Sequence, residues 1–178
     1  AQSEEGAKVA ISQLIEGAPN VLVSASARTQ VSALLSRYWR DAKALEMQRL
    51  LSEVNVHGLE PAQIAANNGA DLGCVMRRLA SVPGKDLAAS LSDARFDITE
   101  DGVGLAVCDS SGTLTLRKPL RGFPLPRFGA ACPLWTLYQA LSRPLSALRE
   151  VAQQSGRDAA HFETMAFATP ITWPKFGG

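Results

Sequence analysis

Apolar residues recur every three or four positions through the first half of the chain, which is the period of an amphipathic α-helix. A short stretch of this kind, AKVAISQLIEG, is closed by Gly17. The same spacing then runs from Ala27 to Val54, through Val31, Leu34, Leu35, Tyr38, Ala42, Leu45, Leu50 and Leu51. We therefore predict helix over both stretches, with a break in the longer one near Arg40 and Asp41.

Two shorter helices are predicted between residues 59 and 84, in the segment LEPAQIAANNGADLGCVMRRLASVPG. Pro61 suits a first helical turn, NNG suits a tight turn, and Pro83-Gly84 ends the second helix. This resembles a helix-turn-helix, which would bring Arg77 and Arg78 within reach of phosphates or base edges. Few side chains that read bases accompany them, and the surrounding half of the chain is acidic. We therefore favour a structural helical hairpin and expect no DNA binding by this chain alone.

The apolar period changes in the second half of the chain. RFDIT, GLAVCD and TLTLRK predict short strands, with DSSG as a hairpin turn between the last two. PLRGFPLPRFGAAC predicts a long loop, PLWTLYQALS a helix, and ALREVAQQ and HFETMAFAT two more strands. We predict an α+β protein with a helical region at residues 1–88. Residues 89–178 would form a small antiparallel-sheet module with one main helix, of which a GAF-like domain is one form.

Composition predicts a reduced, cytoplasmic protein. No stretch approaches the roughly 18 consecutive apolar residues of a membrane-spanning helix. The first residues, AQSEEGAKVA, lack the apolar core of a signal peptide. Cys74, Cys108 and Cys132 are widely spaced and odd in number, which does not suggest a disulfide framework.

The net charge of +1 conceals an uneven distribution. Residues 110–149 contain no Asp or Glu but six basic residues, whereas the rest of the chain holds 12 basic residues against 17 acidic ones. Four of the eleven aromatic residues, Phe123, Phe128, Trp135 and Tyr138, lie in the same segment. A basic, aromatic segment suggests an anionic ligand with a flat or apolar part, and the alternative is a solvated basic surface.

Cys132 precedes Pro133 at the predicted helix start, where the helix dipole would lower the pKa of a thiol. A nucleophilic thiolate normally needs a histidine base, and no histidine motif accompanies this one. We favour a small buried residue beside a helix that begins at Pro133. The free N–H groups at residues 132–135 would form an anion site. Trp135 and Tyr138, three residues apart, would either line a pocket or pack against the sheet.

Metal binding is not expected. The chain has two histidines, His57 and His161, and neither has a His or Cys at ligand spacing.

The segment GLAVCDSSGTLTLRKPLRGFPLPRFGAACPLWTLYQALSRP resembles the C-terminal sensory domain of the short-chain fatty acyl-CoA regulators. These are bacterial transcription factors with an amino-terminal helix-turn-helix of the Xre type. The family shares a V-D-x-x-G hairpin ending in Arg, a G-F-x-x-x-R-F-G-x-x-C-P-L-W loop and helix start, and an SRP-like helix end. These motifs correspond here to Val107–Arg117, Gly122–Trp135 and Ser142–Pro144. The resemblance covers residues 64–168, and the earlier residues resemble the family's degenerate peptidase-like region only in being helical.

This resemblance implies a non-enzymatic sensor of short-chain acyl-CoA from propionate, acetate or branched-chain catabolism, acting as a homodimer. DNA would be bound through an N-terminal domain that this chain lacks. Some relatives carry a cysteine-rich tail linked to an iron–sulfur cluster; because this chain shows no such tail, we expect neither cluster nor metal. Alternatives are a ligand-free interaction or dimerisation module, built on the Ala27–Val54 helix, and a Cys132-dependent acyl-CoA enzyme. The candidate ligand site comprises Arg117, Lys118, Arg121, Phe123, Arg127, Phe128, Cys132, Trp135, Tyr138 and Arg143.

Overall fold

The computed structural model describes residues 3–92, 98–109, 111, 113–123, 135–153 and 161–169. Within these residues the chain is mostly helical first and then forms small antiparallel sheets, so the predicted α+β class is confirmed. Contacts group the chain into two compact units, Ala1–Leu79 and Ala80–Gly178. The helices are α1 (Glu4–Glu16), α2 (Ala25–Ala44), α3 (Met47–His57), α4 (Pro61–Asn68), α5 (Leu72–Ser81), α6 (Gly84–Ser90) and α7 (Trp135–Ser142). The strands are β1 (Leu105–Cys108), β2 (Leu114–Lys118), β3 (Leu148–Gln153) and β4 (His161–Ala166).

A serine side chain caps the N-terminus of each of the first two helices. The Ser3 hydroxyl accepts a hydrogen bond from the Gly6 N–H at 3.2 Å, and the Ser24 hydroxyl accepts one from the Ala27 N–H at 3.1 Å. These bonds satisfy N–H groups that have no partner within their helix. Gly17 ends α1, as predicted, and α1 packs against α2.

The longer stretch is broken, as predicted, but the break lies beyond Arg40 and Asp41. The α2 helix continues to Ala44, and the chain leaves it at Leu45, which has φ −140° and ψ 96°. The Leu45 side chain is fully buried, and its carbonyl accepts a hydrogen bond from Arg78 Nε at 2.9 Å. Burial of Leu45 and this bond to α5 therefore fix the break four residues beyond Asp41.

Three helices, α3, α4 and α5, provide most of the core of the first unit. Leu50, Val54, Ile64 and Val75 are fully buried. As predicted, Pro61 begins α4, and the glycine of the NNG turn ends it: Gly69 has φ +57°, a conformation that glycine adopts without strain.

The second unit contains a helix, α6, that the sequence did not predict. Pro83 precedes it, and Leu87 is fully buried. Its first residue, Gly84, lies directly against the backbone of Thr99 and Glu100, where a Cβ atom would clash. Of the predicted strand RFDIT, residues 95–97 lie outside the described residues, and Ile98 and Thr99 are not in a strand.

Two antiparallel strand pairs complete the described part of this unit. The first, β1 with β2, includes the pairs Leu105–Lys118 and Cys108–Leu114, which confirms the predicted DSSG hairpin. The second, β3 with β4, pairs residues from Leu148–Ala166 to Gln153–His161. The α7 helix packs on both β3 and β4. None of the described helices is both long enough and apolar enough to cross a membrane.

Candidate functional site

Part of the predicted ligand site lies outside the described residues. This applies to Arg127, Phe128 and Cys132, and for Trp135 only the backbone, at the first position of α7, is described. The anion site predicted at residues 132–135 therefore stays a prediction. The other six candidate residues have described positions in the second unit.

Arg117 and Lys118 lie next to each other on β2, so their side chains leave the strand on opposite faces. Arg117 is exposed. Lys118 is half-buried, and its Nζ donates a hydrogen bond to the Ala80 carbonyl at 2.8 Å. Burial lowers the pKa of Lys118, since the charged ammonium is partly removed from water. This amino group therefore ties β2 to Ala80 within the second unit.

Arg121 follows the first strand pair, in the turn that leads to the predicted ligand loop. Its backbone N–H donates to Asp101 Oδ2 at 3.0 Å, and its side chain is exposed. The turn is closed by a bridge between Leu120 and Phe123. The Asp101 carboxylate therefore holds the backbone of Arg121 in place, and the guanidinium of Arg121 is exposed to solvent.

Phe123 belongs to the core of the second unit. It is 9% exposed, and its ring meets that of Phe162 on β4 edge to face, with centroids 4.9 Å apart. Gly122, with φ +81°, lies against the Phe162 ring. A glycine at this position lets the chain turn next to the ring. The two rings therefore attach the start of the predicted loop to the β3–β4 pair.

The α7 helix carries Tyr138, which is half-buried, and is followed by the exposed Arg143. Trp135 is the first residue of α7 and Arg143 follows its last, so they lie about 12 Å apart along the axis. The two residues therefore belong to opposite ends of the helix, with Tyr138 between them.

A polar cluster beneath α7 was not predicted. Thr136 is 5% exposed, and its hydroxyl donates to Glu150 Oε2 at 2.9 Å. The Thr164 hydroxyl donates to the Glu150 backbone carbonyl at 2.9 Å. Thr136 lies one residue after Trp135, so a carboxylate is fixed close to the predicted ligand helix. Only the pairing of Glu150 with Thr164 across β3 and β4 creates the cluster, and the sequence carried no signal of that pairing.

In the folded chain, acidic residues from outside the acid-free segment, residues 110–149, contact residues within it. Asp101 binds the backbone of Arg121, Glu163 forms an ion pair with Arg149, and Glu150 binds Thr136. The positive charge of residues 110–149 is therefore partly balanced in space. Among the described residues, no group of three or more His, Cys, Asp or Glu side chains is arranged to hold a metal ion.

The two arginines of the helix-turn-helix-like segment are used inside the first unit. Arg77 binds Asp41 with Nε–Oδ2 at 2.7 Å and Nη2–Oδ1 at 2.9 Å. Arg78 is 7% exposed and donates to the Leu45 carbonyl. Both guanidinium groups thus fasten α5 to the end of α2, in keeping with the structural reading of this segment.

Residues 99–176 match the family described as short-chain fatty acyl coenzyme A regulator, C-terminal. A curated relative, a propionyl-CoA carboxylase regulator from Cereibacter sphaeroides, is 44% identical over 45 residues, which are 25% of this chain and 10% of the relative. A solved structure of a Mycobacterium tuberculosis transcriptional regulator is similar in fold, with a TM-score of 0.56 and 17% identity over 90% of this chain. The chain covers 52% of that structure.

This chain therefore spans about half of the solved regulator and matches about a tenth of the curated relative. At 17% identity the structural likeness shows a shared fold only. The family match is more specific, since it contains the whole acid-free segment, both strand pairs and α7. Over residues 99–176 the chain is therefore similar in sequence to the C-terminal domain of the short-chain fatty acyl coenzyme A regulators.

Proposed function

We propose that this chain is the effector-binding part of a bacterial transcriptional regulator, and that its effector is a short-chain acyl-CoA. The observation that carries this proposal is the family match over residues 99–176. The name of the Cereibacter sphaeroides relative, a propionyl-CoA carboxylase regulator, agrees with control of carbon metabolism that passes through acyl-CoA.

The chemistry of the second unit supports an anionic ligand of this kind. Coenzyme A offers a pyrophosphate, a 3′-phosphate, a flat adenine and a short apolar acyl end. Arg121 and Arg143 expose guanidinium groups, which suit bidentate phosphate contacts. Because Thr136 and Glu150 place a carboxylate beneath α7, the phosphates would bind away from that side of the helix, towards the exposed arginines.

The direct test is the melting temperature of the full chain with coenzyme A and its acetyl, propionyl, butyryl and isobutyryl thioesters. A ligand at 100 times its Kd stabilises a protein by about 2.7 kcal/mol, which gives a shift of several degrees. We expect Arg127→Ala, Trp135→Ala and Arg121→Ala to reduce this shift. Arg49→Ala, an exposed arginine on α3, is the matched control. Absence of a shift with every thioester at millimolar concentration would overturn the proposal.

The proposed role is non-enzymatic, which a second measurement checks. After prolonged incubation with the chain, acyl-CoA should be recovered unchanged by chromatography. The same recovery of intact acyl-CoA is expected with Cys132→Ser. Release of free coenzyme A that disappears in Cys132→Ser would instead indicate a thiol-dependent enzyme.

A further inference from the structure

The first two helices form a hairpin whose apolar side chains are poorly covered. At the connected end of α1 and α2, which we call the hairpin tip, Leu14 is 65% exposed, Val21 79% and Val23 76%. Along α2, a helix of 20 residues, the one fully buried residue is Asp41. In contrast, α4 buries three of its eight residues. Exposed aliphatic groups gathered in one place mark a surface that binds a partner.

The two helices of the hairpin carry opposite charges. The α1 helix has Glu4, Glu5 and Glu16 against Lys8, all of them exposed. The exposed charges of α2 are all positive: Arg28, Arg37, Arg40 and Lys43. Its one acidic residue, Asp41, is buried and paired with Arg77. An acidic helix therefore lies antiparallel to a basic one.

This charge pattern selects the kind of partner. A uniformly acidic surface would attract α2 but repel α1, and a uniformly basic surface would do the reverse. A second hairpin of the same sequence, turned by a two-fold axis, places each α1 beside the other copy's α2 and satisfies both. Two-fold interfaces are self-complementary in this way. The open groove between the two helices presents one charged residue from each of them, and its lining residues are Ser12, Ile15, Glu16, Arg28, Thr29, Ser32 and Ala33.

We infer that the α1–α2 hairpin is a dimerisation element that docks a second copy of this chain. The aliphatic side chains of the tip and the unburied apolar residues of α2 provide the buried surface, and the alternating helix charges fix the antiparallel arrangement. The inference does not depend on acyl-CoA binding by the second unit. It also differs from the sequence-based alternative of a dimer through the Ala27–Val54 helix, because it includes α1 and leaves out α3.

The first test measures the mass of the full chain in solution by sedimentation and light scattering. Chain concentrations from about 1 to about 200 μM cover the range in which weak dimers form and dissociate. We expect a species of twice the 18.9 kDa chain mass. Val21→Asp with Val23→Asp should weaken the dimer at least tenfold, because charges would enter the interface. Val56→Asp, at an equally exposed valine on α3 (69%), should leave it unchanged. A monomer throughout, or equal loss in both variants, would overturn the inference.

The second test exchanges the helix charges. One variant carries Glu5→Lys and Glu16→Lys on α1, and the other carries Arg37→Glu, Arg40→Glu and Lys43→Glu on α2. Each alone should dissociate, since all its hairpin charges then have one predominant sign. An equimolar mixture should recover dimers that contain one chain of each. Failure of the mixture to associate, with both variants keeping wild-type helix content and melting temperature, would rule out this arrangement. Acyl-CoA binding, measured separately, should survive in every variant, so the two proposals fail independently.

Discussion

Arg77 binds Asp41 through two parallel N–H···O bonds, although 36 residues separate them in the sequence. The pair joins α5 to the end of α2. The Asp41 side chain is 8% exposed and that of Arg77 21%, so both charges are largely removed from water. A pair of this kind contributes little net free energy, but removing one partner is costly because the other charge stays buried.

Replacing Arg77 alone should therefore destabilise the first unit strongly. We expect Arg77→Met to lower the free energy of unfolding by about 3–5 kcal/mol, measured by denaturant titration. Arg149→Met is the control, because the Arg149–Glu163 pair is exposed, and should cost less than about 1 kcal/mol. The double variant Asp41→Leu/Arg77→Met should recover most of the loss. Similar losses in Arg77→Met and Arg149→Met would contradict this account.

Cys74 should be unreactive in the folded chain. Burial, followed by the nearby negative charge of Asp41, raises the pKa of its thiol from 9.0 to about 11. Because the thiolate is the reactive form, a rise of about two units leaves about 100-fold less thiolate at pH 8. In the variant Cys108→Ser/Cys132→Ser, alkylation of the remaining cysteine should accelerate at least about 100-fold on unfolding. Equal rates in the folded and unfolded chain would refute the prediction.

Asp109 should give the β1–β2 hairpin a dependence on pH. Its carboxylate accepts hydrogen bonds from the Ser111 hydroxyl and from the N–H groups of Thr113 and Ser111, which lower its pKa below 3.8. A lowered pKa means that this stabilisation is complete above pH 3.8 and is lost as the pH falls through the folded-state value. In Ser111→Ala, NMR titration should show the Asp109 pKa moving back towards 3.8. An unchanged titration midpoint would show that the serine has no such role.

Gly84 should tolerate no side chain. An added Cβ would lie 2.5 Å from the Glu100 carbonyl oxygen and still closer to that of Thr99. Since these neighbours are backbone atoms, they cannot rotate away, and we expect Gly84→Ala to destabilise the second unit by about 1–3 kcal/mol. In the control Gly17→Ala, φ is −70° and an added Cβ would lie 3.3 Å from its nearest neighbour, the Gln13 carbonyl oxygen, so a shift of a few tenths of an ångström would accommodate it. Thermal unfolding of both variants separates them, and a stable Gly84→Ala chain would show that the segments can move apart.

Local signals explain which parts of the fold the sequence could predict. Gly17, Pro61 and the NNG triplet act within a few residues, and the helix ends that they predict are confirmed. The DSSG hairpin is local in the same sense, because Asp109 binds Ser111 and Thr113. The break of the long helix was misplaced because it depends on the bond from Arg78 to the Leu45 carbonyl, 33 residues away. No periodicity reveals a bond of that kind.

The candidate site shows the same limit more strongly. The acid-free segment is evident in the sequence, but Glu163 and Asp101 approach it only through strand pairing and a turn. Lys118 resembled a phosphate ligand, yet its amino group is bonded to the Ala80 carbonyl. Phe123, one of the aromatic residues of the candidate ligand site, packs on Phe162. In each case the residue type suggested a role in ligand binding. The group that each side chain contacts depends on the tertiary structure, which the sequence pattern does not reveal.

The close approach of Gly84 to Thr99 and Glu100 has a consequence for how such a domain is inherited. The family match begins at residue 99, but Gly84 lies inside the same packed body, and Ala80 supplies the acceptor for Lys118. A recombination event that joined this domain to another protein at residue 99 would leave behind part of its own interior. Gene fusions that produce a folded domain should therefore carry residues 80–98 along with the segment that the family match covers.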